Sequence, residues 1–167
     1  MSKYTLPHFE PIDLANLEEY YDTEIEFNGE EVDIDLNFGT KTIAPQRMDL
    51  VKKFLENLKD YDSKNRKYIE QDFADEDGDT VKTYVEHHLE EIDKDDLAEL
   101  VDFNNKSIAP AQQLIKALRL VRVGFYPDGE EDQFAIFDYS IGRDLTDYLV
   151  VIFTDENGEM DYITMES

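Results

Sequence analysis

The 167-residue chain contains no cysteine, which excludes disulfides and thiolate metal sites. The absence fits a reducing compartment. Positive charge is scarce: 16 Lys and Arg stand against 41 Asp and Glu, a formal charge of −25 at pH 7. Such a body repels DNA, RNA and anionic lipid surfaces, and attracts basic proteins and divalent cations. Its seven glycines are dispersed in turn-like settings, so no glycine-rich phosphate loop exists. Long apolar runs are absent too. The longest, Tyr148-Leu-Val-Val-Ile-Phe153, is far too short to cross a bilayer. The first ten residues hold no apolar run of signal-peptide length. The expectation is a soluble, cytoplasmic protein that binds neither nucleic acid nor membrane.

What is present argues for a folded body. Apolar residues make up 41% and aromatics 12%, with ten Phe and ten Tyr, whereas disordered chains are poor in aromatics. The length suits a single domain, residues 1–167. A chain of this size buries roughly 70% of its unfolded surface.

One hairpin dominates the pattern. Asp22-Thr-Glu-Ile-Glu-Phe27, Asn28-Gly29 and Glu30-Glu-Val-Asp-Ile-Asp-Leu-Asn-Phe38 alternate apolar and acidic residues with period two. Ile25, Phe27, Val32, Ile34, Leu36 and Phe38 then face one way, and Asp22, Glu24, Glu26, Glu31, Asp33 and Asp35 the other. Like charges on neighbouring strands destabilise a sheet, so this face needs an offsetting partner or is tolerated for solubility.

Charge is segregated along the chain. Residues 1–40 carry one cation and eleven acids, 69–105 two and fourteen, and 127–167 one and twelve. Between them, 41–68 carry eight cations and four acids, and 106–126 four cations and no acid. The basic segments read as internal partners of the acidic ones.

After the hairpin, Pro45 suits the first turn of a helix. Met48, Val51, Phe54, Leu55 and Leu58 recur at helical spacing to about Lys59. A second helix is expected over Lys64–Phe73. Asp79 reads as the N-cap of a third, with Val81, Tyr84, Val85, His88, Leu89 and Ile92 on one side, and Asp93 as the cap of a short fourth. Lys106-Ser-Ile-Ala-Pro110 repeats the grammar of Lys41-Thr-Ile-Ala-Pro45 and starts a helix that ends near Leu118. The period then returns to two. Strands are expected over Leu118–Tyr126, Gln133–Tyr139, Tyr148–Phe153 and Met160–Met165, with Asp155-Glu-Asn-Gly158 a hairpin turn. Two strands, a helical middle of about four helices and a C-terminal antiparallel sheet of about four strands give an α+β fold.

Asp75, Asp77, Asp79 and Glu86 match positions 1, 3, 5 and 12 of an EF-hand loop. Position 6, which needs Gly, is Thr80, and position 8 is Lys82. These acids therefore read as loop and helix-start residues. In Glu86-His87-His88-Leu-Glu-Glu91, His87 and Glu91 share a face but do not close a zinc site. His88 reads as packed and His87 as solvated. Ser140-Ile-Gly142 lacks the preceding Gly-x of a nucleophile elbow. No catalytic residue, metal site or cofactor is expected.

Glu26-Phe-Asn-Gly-Glu-Glu-Val-Asp-Ile-Asp-Leu, Asp72-Phe-Ala-Asp75, Val123-Gly-Phe-Tyr-Pro-Asp128, Phe137-Asp-Tyr-Ser-Ile-Gly142, Tyr148-Leu-Val-Val, Asn157-Gly158 and Ile163-Thr-Met-Glu-Ser167 carry a further signal. With these stretches the chain resembles the uncharacterised bacterial family called domain of unknown function 2004. The resemblance implies a bacterial cytosolic protein and assigns no residue a role. By analogy, small acidic domains are similar to immunity proteins that neutralise toxins. The expected function is an acidic, non-enzymatic module that captures a basic protein. Its contact residues would be Glu24, Glu26, Glu31, Asp33 and Asp35, with Asp75, Asp77 and Asp79 as a second patch. The alternative is a divalent-cation-binding protein or metal-dependent hydrolase using residues 75–86.

Overall fold

A short antiparallel pair opens the chain: Lys3–Tyr4 (β1) and Ile12–Asp13 (β2). With two residues each, these strands are too brief to leave a period in the sequence. They are seen in the computed structural model, which describes residues 3–129 and 133–167. The segment seats Leu6, Ile12 and Leu17 in the core.

The alternating hairpin forms as its pattern dictates, from Tyr20–Phe27 (β3) and Glu30–Asn37 (β4). Asn28 and Gly29 both adopt positive φ, 53° and 81°, as a tight two-residue hairpin turn requires. Five helices follow: Pro45–Glu56 (α1), Leu58–Ala74 (α2), Thr80–Glu91 (α3), Lys94–Leu97 (α4) and Pro110–Ala117 (α5). The chain ends in Arg119–Phe125 (β5), Ala135–Ser140 (β6), Leu149–Thr154 (β7) and Met160–Glu166 (β8).

The fold is α+β, but hairpin and C-terminal strands are not separate. They form one six-stranded sheet in the order β3-β4-β5-β6-β7-β8. Every neighbour pair is antiparallel except β4 and β5, which run parallel from Asp33 opposite Arg122 to Leu36 opposite Phe125. Adjacent parallel strands require a crossover connection. Residues 38–118 are that crossover, so the whole helical middle lies against one face of the sheet.

That face supplies the core. Val32, Ile34 and Leu36 from β4, Val123 and Phe125 from β5, Phe137 and Tyr139 from β6, and Val150 and Ile152 from β7 pack against Met48, Val51, Phe54, Ile69, Val81, Tyr84, Val85 and Leu114. Phe54 is the hub. Its ring stacks on Tyr61 at 4.2 Å and Phe134 at 5.6 Å, and meets Phe125 edge-on at 5.5 Å. Gly158, at φ 80°, passes against Tyr61; a Cβ there would lie 2.5 Å from that ring.

One helix start is corrected, and the two expected cap residues stand in position without the side-chain bond. The second helix begins at Leu58, not Lys64, after a one-residue break at Asn57. Its inward stripe contains buried Asp62 and Asn65, which interrupt the apolar period. Asp62 Oδ1 accepts from the buried Tyr139 hydroxyl at 2.7 Å, and Arg66 Nε donates to its Oδ2 at 3.0 Å. Asp79 precedes α3 but makes no side-chain cap bond. The Val81 N–H donates instead to Asp72 Oδ2 at 2.9 Å, reaching across the loop. Asp93 likewise stands at the start of α4 without a side-chain cap bond.

Deleting a buried aromatic ring leaves a cavity that its neighbours fill only in part. Phe54→Ala is therefore expected to lower unfolding stability by about 3 to 5 kcal/mol, measured by urea denaturation, with the folded circular-dichroism spectrum retained.

Candidate functional site

The outer face of the sheet, opposite the helices, collects the acids of the hairpin. The β3–β4 register sets Asp22 opposite Asp35, Glu24 opposite Asp33 and Glu26 opposite Glu31. Six carboxylates therefore share one face of two adjacent strands, as the alternation requires.

Their repulsion is relieved from the neighbouring strand. Arg122, opposite Asp33 on β5, turns its guanidinium onto Asp35 in a two-pronged pair, Nε to Oδ1 at 2.7 Å and Nη2 to Oδ2 at 2.9 Å. Its Nη1 approaches Asp138 Oδ2 on β6 at 3.4 Å. Asn37 Nδ2 donates to Asp35 Oδ2 at 2.7 Å. The matched fork geometry makes such pairs strong and directional. Gly124 gives the guanidinium its seat: a Cβ there would lie 2.5 Å from Arg122 Nη2 and 3.0 Å from Asp35 Oδ2. The hydrogen bond to Asp35 is the main reason that Arg122 holds its proton above the ordinary arginine range.

The hairpin acids therefore divide. Asp35 is buried, 3% exposed, and committed to Arg122. Asp33 pairs with Arg143 at 3.1 Å. Glu24, Glu26 and Glu31 are exposed and form no ion pair among the described residues. The basic segments behave as internal partners here: Arg47 meets Glu156, Lys64 meets Glu159 and Arg119 meets Glu30.

Beyond Arg122 the outer face becomes apolar. Ile136 on β6, Phe153 on β7 and Tyr162 on β8 stand in register, with Phe153 and Tyr162 stacked at 4.2 Å. Asp138 sits at the border, buried and beside Val151. Burial pushes its carboxyl above the ordinary carboxylate range; Arg122 opposes that shift, and Glu166 and Asp35 add to it.

The second predicted patch lies elsewhere. Asp75 to Asp79 form the loop between α2 and α3, and Thr80 at its end reaches the Ile163 carbonyl of β8. β8 and β3 are opposite edges of the sheet, five strand spacings or about 24 Å apart. The two acidic patches are not one surface. In the loop, Asp75 Oδ1 accepts from the Asp77 N–H at 2.9 Å, a local turn. Among the described residues no three His, Asp or Glu side chains converge with metal-holding geometry.

His88 is packed, as expected. Nδ1 lies 2.6 Å from the Tyr84 carbonyl and Nε2 2.8 Å from Thr146 Oγ1. The carbonyl can only accept, so Nδ1 carries a proton. Burial lowers its pKa. His87 is half-buried rather than solvated, edge-on to Tyr148 at 4.9 Å. Sequence reasoning missed Arg122, Gly124 and Asp138. Arg122 is the lone cation in Leu120-Val-Arg-Val-Gly-Phe125, and that was the available signal.

Several recesses open on the surface. One of about 260 Å³ beneath the hairpin turn is lined by Phe27, Asn28, Arg66, Lys116 and Arg119. Two of its three cations are already paired, with Asp62 and Glu30.

Removing one member of a buried ion pair leaves an uncompensated charge. Arg122→Met is expected to cost about 3 to 5 kcal/mol of stability, and Asp35→Asn in the same chain to restore much of it; denaturant titration of the single and double variants reads this. Asp138 yields a pH dependence. A carboxyl with a raised folded-state pKa adds stability that is full below the ordinary carboxylate pKa and lost as pH rises through the raised value. Asp138→Asn is expected to raise the melting temperature at pH 7, with the gain vanishing as pH falls below the carboxylate range.

Comparison with family models, with curated proteins and with solved structures gave no match to this chain.

Proposed function

We propose that this protein is a non-enzymatic binding module that captures a basic protein surface on the outer face of β3 and β4. The observation that carries the reading is the division of the hairpin acids. Arg122 and Arg143 neutralise Asp35 and Asp33 next to the sheet interior, while Glu24, Glu26 and Glu31 stay exposed and unpaired among the described residues. The clamped pair holds the strands in place, and the exposed acids project a fixed negative field. Complementary charge of this kind steers encounter and raises association rates, with strong sensitivity to salt.

The class of partner follows from charge. A body at −25 selects strongly basic proteins, and an immunity protein that neutralises a basic nuclease-like toxin fits that chemistry. The resemblance to the uncharacterised bacterial family is compatible with this reading and adds no residue to it. The loop at 75–79 lies at the far edge of the sheet, so the hairpin face is the primary contact and Asp75, Asp77 and Asp79 are outside it.

The test uses a panel of small basic ribonucleases as probes, with binding followed by surface plasmon resonance from 50 to 300 mM salt. Glu24→Gln, Glu26→Gln and Glu31→Gln combined are expected to weaken binding on the order of tenfold, chiefly through a slower association rate and a flatter salt dependence. Unchanged rates and salt slope would remove this face from the function.

A further inference from the structure

The edge of the sheet at β3 narrows the partner's form, in an inference that rests on the binding reading above. We infer that β3 accepts an extended partner segment as a seventh strand, one that alternates Lys or Arg with apolar residues. Among the described residues β3 pairs only with β4, so one side of its backbone has no ladder there. The register shows which groups are free. The Phe38 N–H donates to the Glu19 carbonyl at 3.0 Å, and Phe27 closes the two-residue turn opposite Glu30. Odd-numbered residues of this strand therefore bond to β4. In an antiparallel ladder the intervening residues point their N–H and C=O groups the other way. Those residues are Tyr20, Asp22, Glu24 and Glu26. No hydrogen bond from the rest of the described chain reaches their backbone.

The side chains fit the same occupant. Asp22, Glu24 and Glu26 are exposed on the outer face, while Tyr21, Ile25 and Phe27 on the helix side are only half-buried, packed against the core with no strand beyond them. In an added antiparallel strand, the residue bonded to Glu24 presents its side chain on Glu24's face. Lys or Arg there makes an opposite-charge cross-strand pair, which is stabilising. The alternate residues turn inward and cover Tyr21, Ile25 and Phe27. Main-chain bonds supply affinity and the alternation supplies specificity, as in other strand additions.

A second copy of this chain is a poor occupant. Two β3 edges would set acid against acid, which charged edge strands use to prevent self-pairing. The other edge, β8, reads Met160-Asp-Tyr-Ile-Thr-Met-Glu166 and carries no cation. The charge on β3 thus rejects its own kind and selects a basic segment.

The test uses a capped peptide of alternating lysine and valine with four lysines, and a block peptide of the same composition. Two further forms carry N-methyl groups on all lysines or on all valines. Binding to the full chain is measured by calorimetry at low salt. An added strand uses only one alternate set of peptide amides. The alternating peptide is expected to bind about tenfold tighter than the block peptide, and N-methylation at lysine to abolish binding while N-methylation at valine spares it. Equal binding of the alternating, block and both methylated peptides would overturn strand addition and leave the acidic-face reading standing. If instead the Glu24→Gln, Glu26→Gln, Glu31→Gln protein binds the alternating peptide as tightly as the unaltered protein, the acidic-face reading itself fails, and this inference with it.

Discussion

The paired contact between Arg122 and Asp35 joins the two halves of this fold. β4 and β5 meet through only four parallel register positions, Asp33 to Leu36 against Arg122 to Phe125, and the chain that links them is the entire helical layer. Parallel pairing is somewhat weaker per residue than antiparallel. A forked ion pair across that seam, with Asp138 of β6 on the far side, ties three strands at the place where the ladder is shortest. Gly124 is part of the device, because only a residue without Cβ lets the guanidinium lie flat over the strand.

The same contact sets the electrostatics of the outer face. Six carboxylates on two strands would repel one another if all remained unpaired. Neutralising Asp33 and Asp35 removes the worst of that repulsion and leaves Asp22, Glu24, Glu26 and Glu31 to face solvent. The apolar strip on β6 to β8 then lies beside the acidic strip with Arg122 at the boundary. A partner with a basic patch next to an apolar one matches this face more closely than charge alone suggests, since interface cores are apolar and rims are charged.

Much of this was legible in the residues. Strict alternation around Asn28-Gly29 located the hairpin and both its faces, because period two leaves no other way to bury Val32, Ile34 and Leu36. Pro45 and Pro110 marked helix starts for the same local reason, a missing N–H that the first turn does not need. The parallel seam was hidden, since nothing local in β4 or β5 names its neighbour. Burial of Asp35 depended on that seam and was hidden with it: in sequence it is one more acid in a row. The start of α2 was obscured by Asp62 and Asn65, polar residues on an inward stripe; the partners of Asp62, Tyr139 and Arg66, lie partly on another element. Asp79 looked like a cap because it adjoins the helix, while Asp72 makes the bond from farther away. Local rules read local structure; the parallel seam and the burial of Asp35 come from contacts distant in sequence.

The exposed hairpin face is the surface proposed to meet a basic partner. Amide hydrogen exchange of the protein alone and with a saturating basic ribonuclease maps that surface directly. New protection is expected to concentrate in residues 20–37, strongest at the outward amides of Asp22, Glu24 and Glu26, with residues 75–79 unchanged. Protection centred on the 75–79 loop, or bound complex with no change in 20–37, would contradict the proposal.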